Sequence, residues 1–172
     1  LAVVNLPASH PDVTVDVLFE EEHVVLTPID HPLADRDELD LSDLDGVPLL
    51  LEPPGTGFRD DLDADAERKG VTLVPQAEVD GMRLLASLAY QGFGPAVLPA
   101  SAVVEWTDGS WRAIPLGGTT KRLVGMATPR RIQLSAPAQA MLDVLQEVIE
   151  AEVPNHKGLH PLTRPGTPRS RP

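Results

Sequence analysis

Apolar and polar positions change period along this chain, and the changes mark its elements. Val13, Val15, Val17 and Phe19 alternate with mostly polar neighbours, the period of a strand with one buried face. Glu20–Glu22 is expected to interrupt that strand, and His23–Thr27 reads as the next one. Leu1–Val4 is an apolar run with no lead-in, read as a buried strand in a chain cut from something longer. Residues 28–45 are turn-rich and acidic, with one short helical signal at 41–45. From Val47 the pattern settles into strand then helix. Val47–Leu51 is a continuous apolar strand, and Pro53–Gly57 is a loop. Phe58, Leu62 and Ala66 then fall at i, i+4 and i+8, which predicts a helix over 58–69 stopped by Gly70.

Leu73–Val79 predicts another strand, and Asp80 a cap for a helix over 82–91 whose buried stripe is Leu84, Leu85, Leu88 and Ala89. Ala96–Leu98, Trp111–Leu116 and Arg122–Thr128 read as strands. Ser135 opens a last helix reaching about Val153, with Ala138, Met141, Leu142, Leu145, Val148 and Ile149 on its predicted buried side. Strand and helix alternating through short loops predict an α/β sheet covered by helices.

Composition narrows the class. The chain has 172 residues, 26 Asp+Glu against 14 Lys+Arg, and a net charge of −12. Residues 1–80 carry 20 of the acids and 4 of the bases, so a basic nucleic-acid face is not expected there. Cysteine is absent, which removes disulfides, thiolate metal sites and cysteine nucleophiles. No apolar run approaches the ~18 residues of a membrane span, and Leu1–Leu6 lacks the flanks of a signal peptide. Residues 154–172 hold five prolines, two glycines and four bases without an acid, and are read as a disordered basic tail.

Little in the chain resembles catalytic machinery. The five histidines form no metal-binding spacing, so no metal is expected. Asp60, Asp61, Asp63, Asp65 and Glu67 read as the solvated side of a surface helix. No serine sits in a nucleophile elbow, and the glycine pairs at 55–57 and 92–94 fit neither a phosphate-binding loop nor a dinucleotide fingerprint. No cofactor is therefore expected. The best single candidate is the loop at Gly55-Thr56-Gly57. It joins a strand end to a helix start, where α/β sheets bind ligands and where helix N–H groups are unpaired. Thr56 adds a hydroxyl and Arg59 a positive charge.

Three stretches, taken together, resemble a known family. They are Asp30-His31-Pro32-Leu33-Ala34 with Leu41–Leu49, Glu78–Ala89, and Gly92-Phe93-Gly94-Pro95-Ala96-Val97-Leu98-Pro99. Their order and spacing resemble the effector-binding domain of LysR-type transcriptional regulators, over about residues 1–153. The resemblance implies two Rossmann-like lobes of the type 2 periplasmic-binding-protein kind, with the first lobe incomplete. It places lobe I at 1–28 and 118–153, lobe II at 29–117, and the tail at 154–172. The family's winged helix-turn-helix has no counterpart in these residues, so contact with DNA is expected only through a domain absent from them.

The implied ligand is a small-molecule effector held between lobes, an organic acid or an aromatic compound. Matching positions put Asn5, Thr56, Gly57, Phe58, Val79 and Phe93 at the site, with Arg59 as its nearby cation. Phe58 and Val79 read equally well as core. The expected protein is a cytoplasmic bacterial sensor, without enzymatic activity, acting as a homo-oligomer away from any membrane. A solute-binding protein of the same architecture is the alternative. A small α/β hydrolase or transferase and a remnant without function are the remaining rivals.

Overall fold

The structure is a computed structural model that describes residues 1–104 and 109–162. Its strands are β1 (Ala2–Asn5), β2 (Val13–Glu21), β3 (His23–Pro28), β4 (Leu39–Asp40), β5 (Pro48–Leu51), β6 (Val74–Glu78), β7 (Ala96–Pro99), β8 (Trp111–Gly117), β9 (Arg122–Pro129) and β10 (Leu159–Pro161). Its α-helices are α1 (Gly57–Lys69), α2 (Met82–Tyr90) and α3 (Ala136–Glu152). Short 3₁₀ turns occupy Pro32–Asp35 and Leu41–Leu44. The chain divides into two compact units: Leu1–Glu20 with the chain from Arg122 onward, and Glu21–Lys121.

Unit 2 is built on a sheet of six strands in the order β4-β8-β3-β7-β5-β6. β3 is antiparallel to both β7 and β8, while β5 runs parallel to β6 and β7. α1 carries the chain outward from β5 to β6, and α2 carries it back from β6 to β7. Right-handed crossovers in opposite directions place the two helices on opposite faces. On the α1 face, Val25, Leu49, Leu51, Phe58, Leu62, Ala66, Val97 and Ile114 form one buried cluster. The α2 face buries Leu50, Leu85, Ala86 and Ala89. Each such leucine contributes roughly 1.5–3 kcal/mol by leaving water. The sequence-based boundary after residue 28 falls one strand late, because β3 pairs inside this sheet and so belongs to unit 2.

The last residues of unit 2 are fastened down one by one. Thr119 Oγ1 donates to the Leu116 carbonyl at 3.1 Å and lies 3.0 Å from His23 Nδ1. Asp65 accepts from the Thr120 amide at 2.6 Å and its hydroxyl at 2.9 Å, and Arg68 pairs with the same carboxylate. Asp65 is therefore 1% exposed and structural, not part of the solvated face expected for it. Lys121 Nζ meets Glu22 Oε1 at 3.1 Å. Gly118, at φ +79°, passes so close to the Lys69–Asp40 ion pair that a Cβ there would lie 2.7 Å from Asp40 Oδ2. Hydrogen bonds from Lys69, then from the Ser42 hydroxyl and amide, hold the Asp40 carboxyl well below the usual carboxylate range.

Unit 1 is a four-stranded sheet, β1-β9-β2-β10, with α3. Val124 and Met126 of β9 are buried in it. Gly125 is required at the crossing of β9: a Cβ would lie 2.7 Å from Leu6 Cδ1 and 2.9 Å from Val15 Cγ1. Three expectations fail here, the first being burial of the opening strand: β1 forms, but Ala2 and Val3 are exposed. Residues 154–162 are not tail, since β10 pairs into the sheet and Val153 is buried. Composition misled because a three-residue edge strand needs few apolar side chains. The remaining tail residues, 163–172, lie outside the described residues. The apolar stripe of α3 forms a helix as predicted, yet none of its residues is buried, and Met141 and Val144 are about half exposed. Among the described residues no helix is long and apolar enough to cross a membrane.

Thr27, in the middle of the unit 2 sheet, is fully buried, and its hydroxyl has no hydrogen-bond partner among the described residues. A buried hydroxyl without a partner costs about 1–3 kcal/mol relative to an apolar group of the same shape. Thr27→Val is therefore expected to raise unfolding stability by about 1 kcal/mol, read from urea denaturation. A loss of stability would mean that the hydroxyl has a partner.

Candidate functional site

The carboxyl ends of β5 and β6 each lead through a short loop into a helix, and these two loops form the candidate site in unit 2. The loop after β5 closes on itself. Thr56 Oγ1 donates to the Pro53 carbonyl at 3.1 Å and accepts from the Arg59 amide at 3.4 Å, capping α1. The Gly55 amide donates to Asp60 Oδ1 at 2.9 Å, which sets a carboxylate at the positive end of the helix. Gly57 is exposed, and nothing lies within 4 Å of where its Cβ would stand.

Arg59 is 7% exposed, and three acceptors engage its guanidinium. Nη1 donates to the Glu52 carbonyl at 2.8 Å and to Glu78 Oε1 at 3.2 Å, while Nε donates to Asp63 at 2.8 Å. The residue staples the ends of β5 and β6 to the first turns of α1. It is not the open cation that the sequence suggests. Phe58 turns inward, joins the core and stacks at 5.0 Å against His23 in a tilted ring pair. Of its two readings, core is the one it occupies.

The loop after β6 is less closed. Val79 is half-buried, and its amide donates to the Leu51 carbonyl at 2.9 Å. Asp80 does not cap α2. Gly81 stands at the cap with φ +102°, and no side chain bonds the first N–H groups of the helix. Glu52, directly after β5, is 8% exposed. Sequence reasoning passed over this residue, although one acid ending a run of three leucines was the available signal. Carboxylates thus dominate the site: Glu52, Asp60, Asp63, Glu78 and Asp80.

One expected member stands elsewhere in unit 2. Phe93 precedes β7, which starts opposite Leu50 and runs parallel to β5, so Phe93 lies at the amino ends of these strands rather than beside Thr56. Its ring is half exposed, and its carbonyl accepts from Gln76 Nε2 at 2.7 Å. Asn5 ends β1 in unit 1 and is exposed. Unit 2 therefore brings together Thr56, Gly57, Phe58, Arg59 and Val79. Among the described residues no group of three or more His, Asp or Glu is placed to hold a metal ion.

A sheet with helices on both faces and ligand-type loops at its carboxyl edge defines a class of small-molecule-binding α/β proteins. Within that class the LysR substrate binding domain family matches residues 1–150, and this chain belongs to it. The Bacillus subtilis transcriptional dual regulator GltC is 28% identical over 134 residues, 77% of this chain and 45% of GltC. The chain thus spans less than half of that relative. The reduced OxyR regulatory domain from Pseudomonas aeruginosa shares 26% identity at a TM-score of 0.66, covering 87% of this chain and 71% of that one. The CcmR regulatory domain from Synechocystis, solved in complex with 2-PG, has a TM-score of 0.71 at 22% identity, covering 87% of this chain and 73% of that one, and shows the shared fold.

Proposed function

We propose that this chain is the effector-sensing part of a bacterial LysR-type transcriptional regulator. The family match over residues 1–150 carries this reading. The 2-PG complex of the CcmR regulatory domain supports a small organic molecule as effector. In this reading Thr56, Gly57 and Val79 of unit 2 contact the effector. Arg59 and Phe58 hold that surface in shape from behind. The domain binds without transforming its ligand. The free energy by which the ligand biases one conformation over another then equals its differential affinity for the two states. The regulator acts in the cytoplasm as a homo-oligomer, and DNA is read by a domain outside these residues.

The test is a thermal-shift screen of the purified chain against a broad panel of small metabolites, followed by calorimetry and a DNA retention assay. Saturable binding of one compound, recovered unchanged, is expected, with no sequence-specific retention of a promoter duplex. Consumption of the compound would make the protein an enzyme, and promoter retention would place the DNA-reading surface in this chain.

A further inference from the structure

We propose that Glu52 receives an ammonium group, so that the effector is an amino-acid-like zwitterion. The inference rests on the sensing reading above and names the ligand class of that same site. More than nine-tenths of Glu52 is buried, and its carboxylate makes no hydrogen bond or ion pair among the described residues. Arg59 engages only the backbone carbonyl of Glu52 and turns its other donors to Asp63 and Glu78, and no ion pair joins Glu52 to Arg83 in the first turn of α2. A buried carboxylate without a counter-charge is unfavourable for folding.

The placement of Glu52 completes the inference. Leu49 and Leu51 point into the core beneath α1, so Glu52 shares the opposite face with Leu50. That is the face of α2, and Glu52 stands at the carboxyl end of β5, the end at which α2 begins. Leu51 is in register with Glu78, which puts Glu52 level with Val79, two residues before the Gly81 cap. Two complementary groups therefore meet there. One is a largely buried anion, its oxygens still open to solvent, that calls for a compact donor such as ammonium. The other is the start of a nine-residue helix whose first N–H groups lack a side-chain cap and attract a carboxylate. An α-amino acid carries both charges on adjacent carbons. The other acids of the site, Asp60, Asp63, Glu78 and Asp80, disfavour a ligand that brings negative charge alone.

The experiment pairs each common primary amino acid with the α-keto acid of the same carbon skeleton, in which a carbonyl replaces the ammonium-bearing carbon. Binding to the chain is measured by calorimetry, and melting temperature by scanning fluorimetry. At least one amino acid is expected to bind saturably, with its keto acid weaker by about tenfold or more, the factor of a charge-assisted hydrogen bond. Glu52→Gln should lose that amino acid by a similar factor while its own melting temperature, without ligand, rises above the parent's. The opposite signs separate recognition from mere structure. Equal binding of both members of a pair overturns the proposal, as does a Glu52→Gln variant that binds like the parent or melts lower. Binding of organic acids but of no amino acid also overturns it and leaves the sensing reading standing. Binding of nothing in the broad metabolite panel overturns the sensing reading itself.

Discussion

Replacing Asp65 by alanine is expected to destabilise unit 2 by about 2–4 kcal/mol, the range for removing a buried charged acceptor and orphaning its donors. The carboxylate is 1% exposed and holds both the amide and the hydroxyl of Thr120, 55 residues further along. Its ion pair with Arg68 matters less, because the Arg68 side chain is 62% exposed. Arg68→Ala should therefore cost under about 1 kcal/mol, the usual worth of an exposed pair. Asp61→Ala, on the exposed side of the same helix, should stay within about 0.5 kcal/mol of the parent. Urea denaturation reads all three. An Asp65→Ala variant no weaker than Asp61→Ala would show that the fastening of Thr120 carries no energy.

The second large effect is expected at Arg59. Arg59→Leu keeps an apolar stem but leaves the Glu52 carbonyl and two carboxylates without their donor. Glu78 and Asp63 are each about two-fifths exposed and regain water, so the loss should be about 2–3 kcal/mol rather than the 3–5 kcal/mol of a fully buried pair. Arg59→Lys should recover little of it, because one ammonium cannot reproduce a planar fork aimed at three acceptors. If Arg59→Lys unfolds at the same urea concentration as the parent, the staple is only a point charge.

The two residues show why some of this molecule was legible in its sequence and some was not. α1 announced itself through Phe58, Leu62, Ala66 and Gly70, because a local period and a local stop are sequence properties. Asp65 was misread for the same reason. It sits three positions after Leu62, on the edge of the buried stripe, but its partner Thr120 is remote and leaves no local trace. Arg59 was visible as a charge, while its partners at Glu52 and Glu78 are joined to it only by the sheet. The period of α3 predicted a helix correctly and its burial wrongly, since a period specifies an apolar side and not the presence of something to cover it. Residues 159–161 form a strand that composition hid, because backbone pairing asks little of side chains.

The fastening of residues 119–121 has a consequence for how the chain is put together. Unit 2 is one uninterrupted segment, while unit 1 is assembled from both sides of it. Both ends of that segment emerge at one spot: His23 lies in register with Leu116, and Glu22 pairs with Lys121. Residues 21–121 are therefore laid out as an insert in a host chain, a continuous segment whose two ends lie side by side. Such a module can grow, shrink or be exchanged for another without lengthening the path that the host must close.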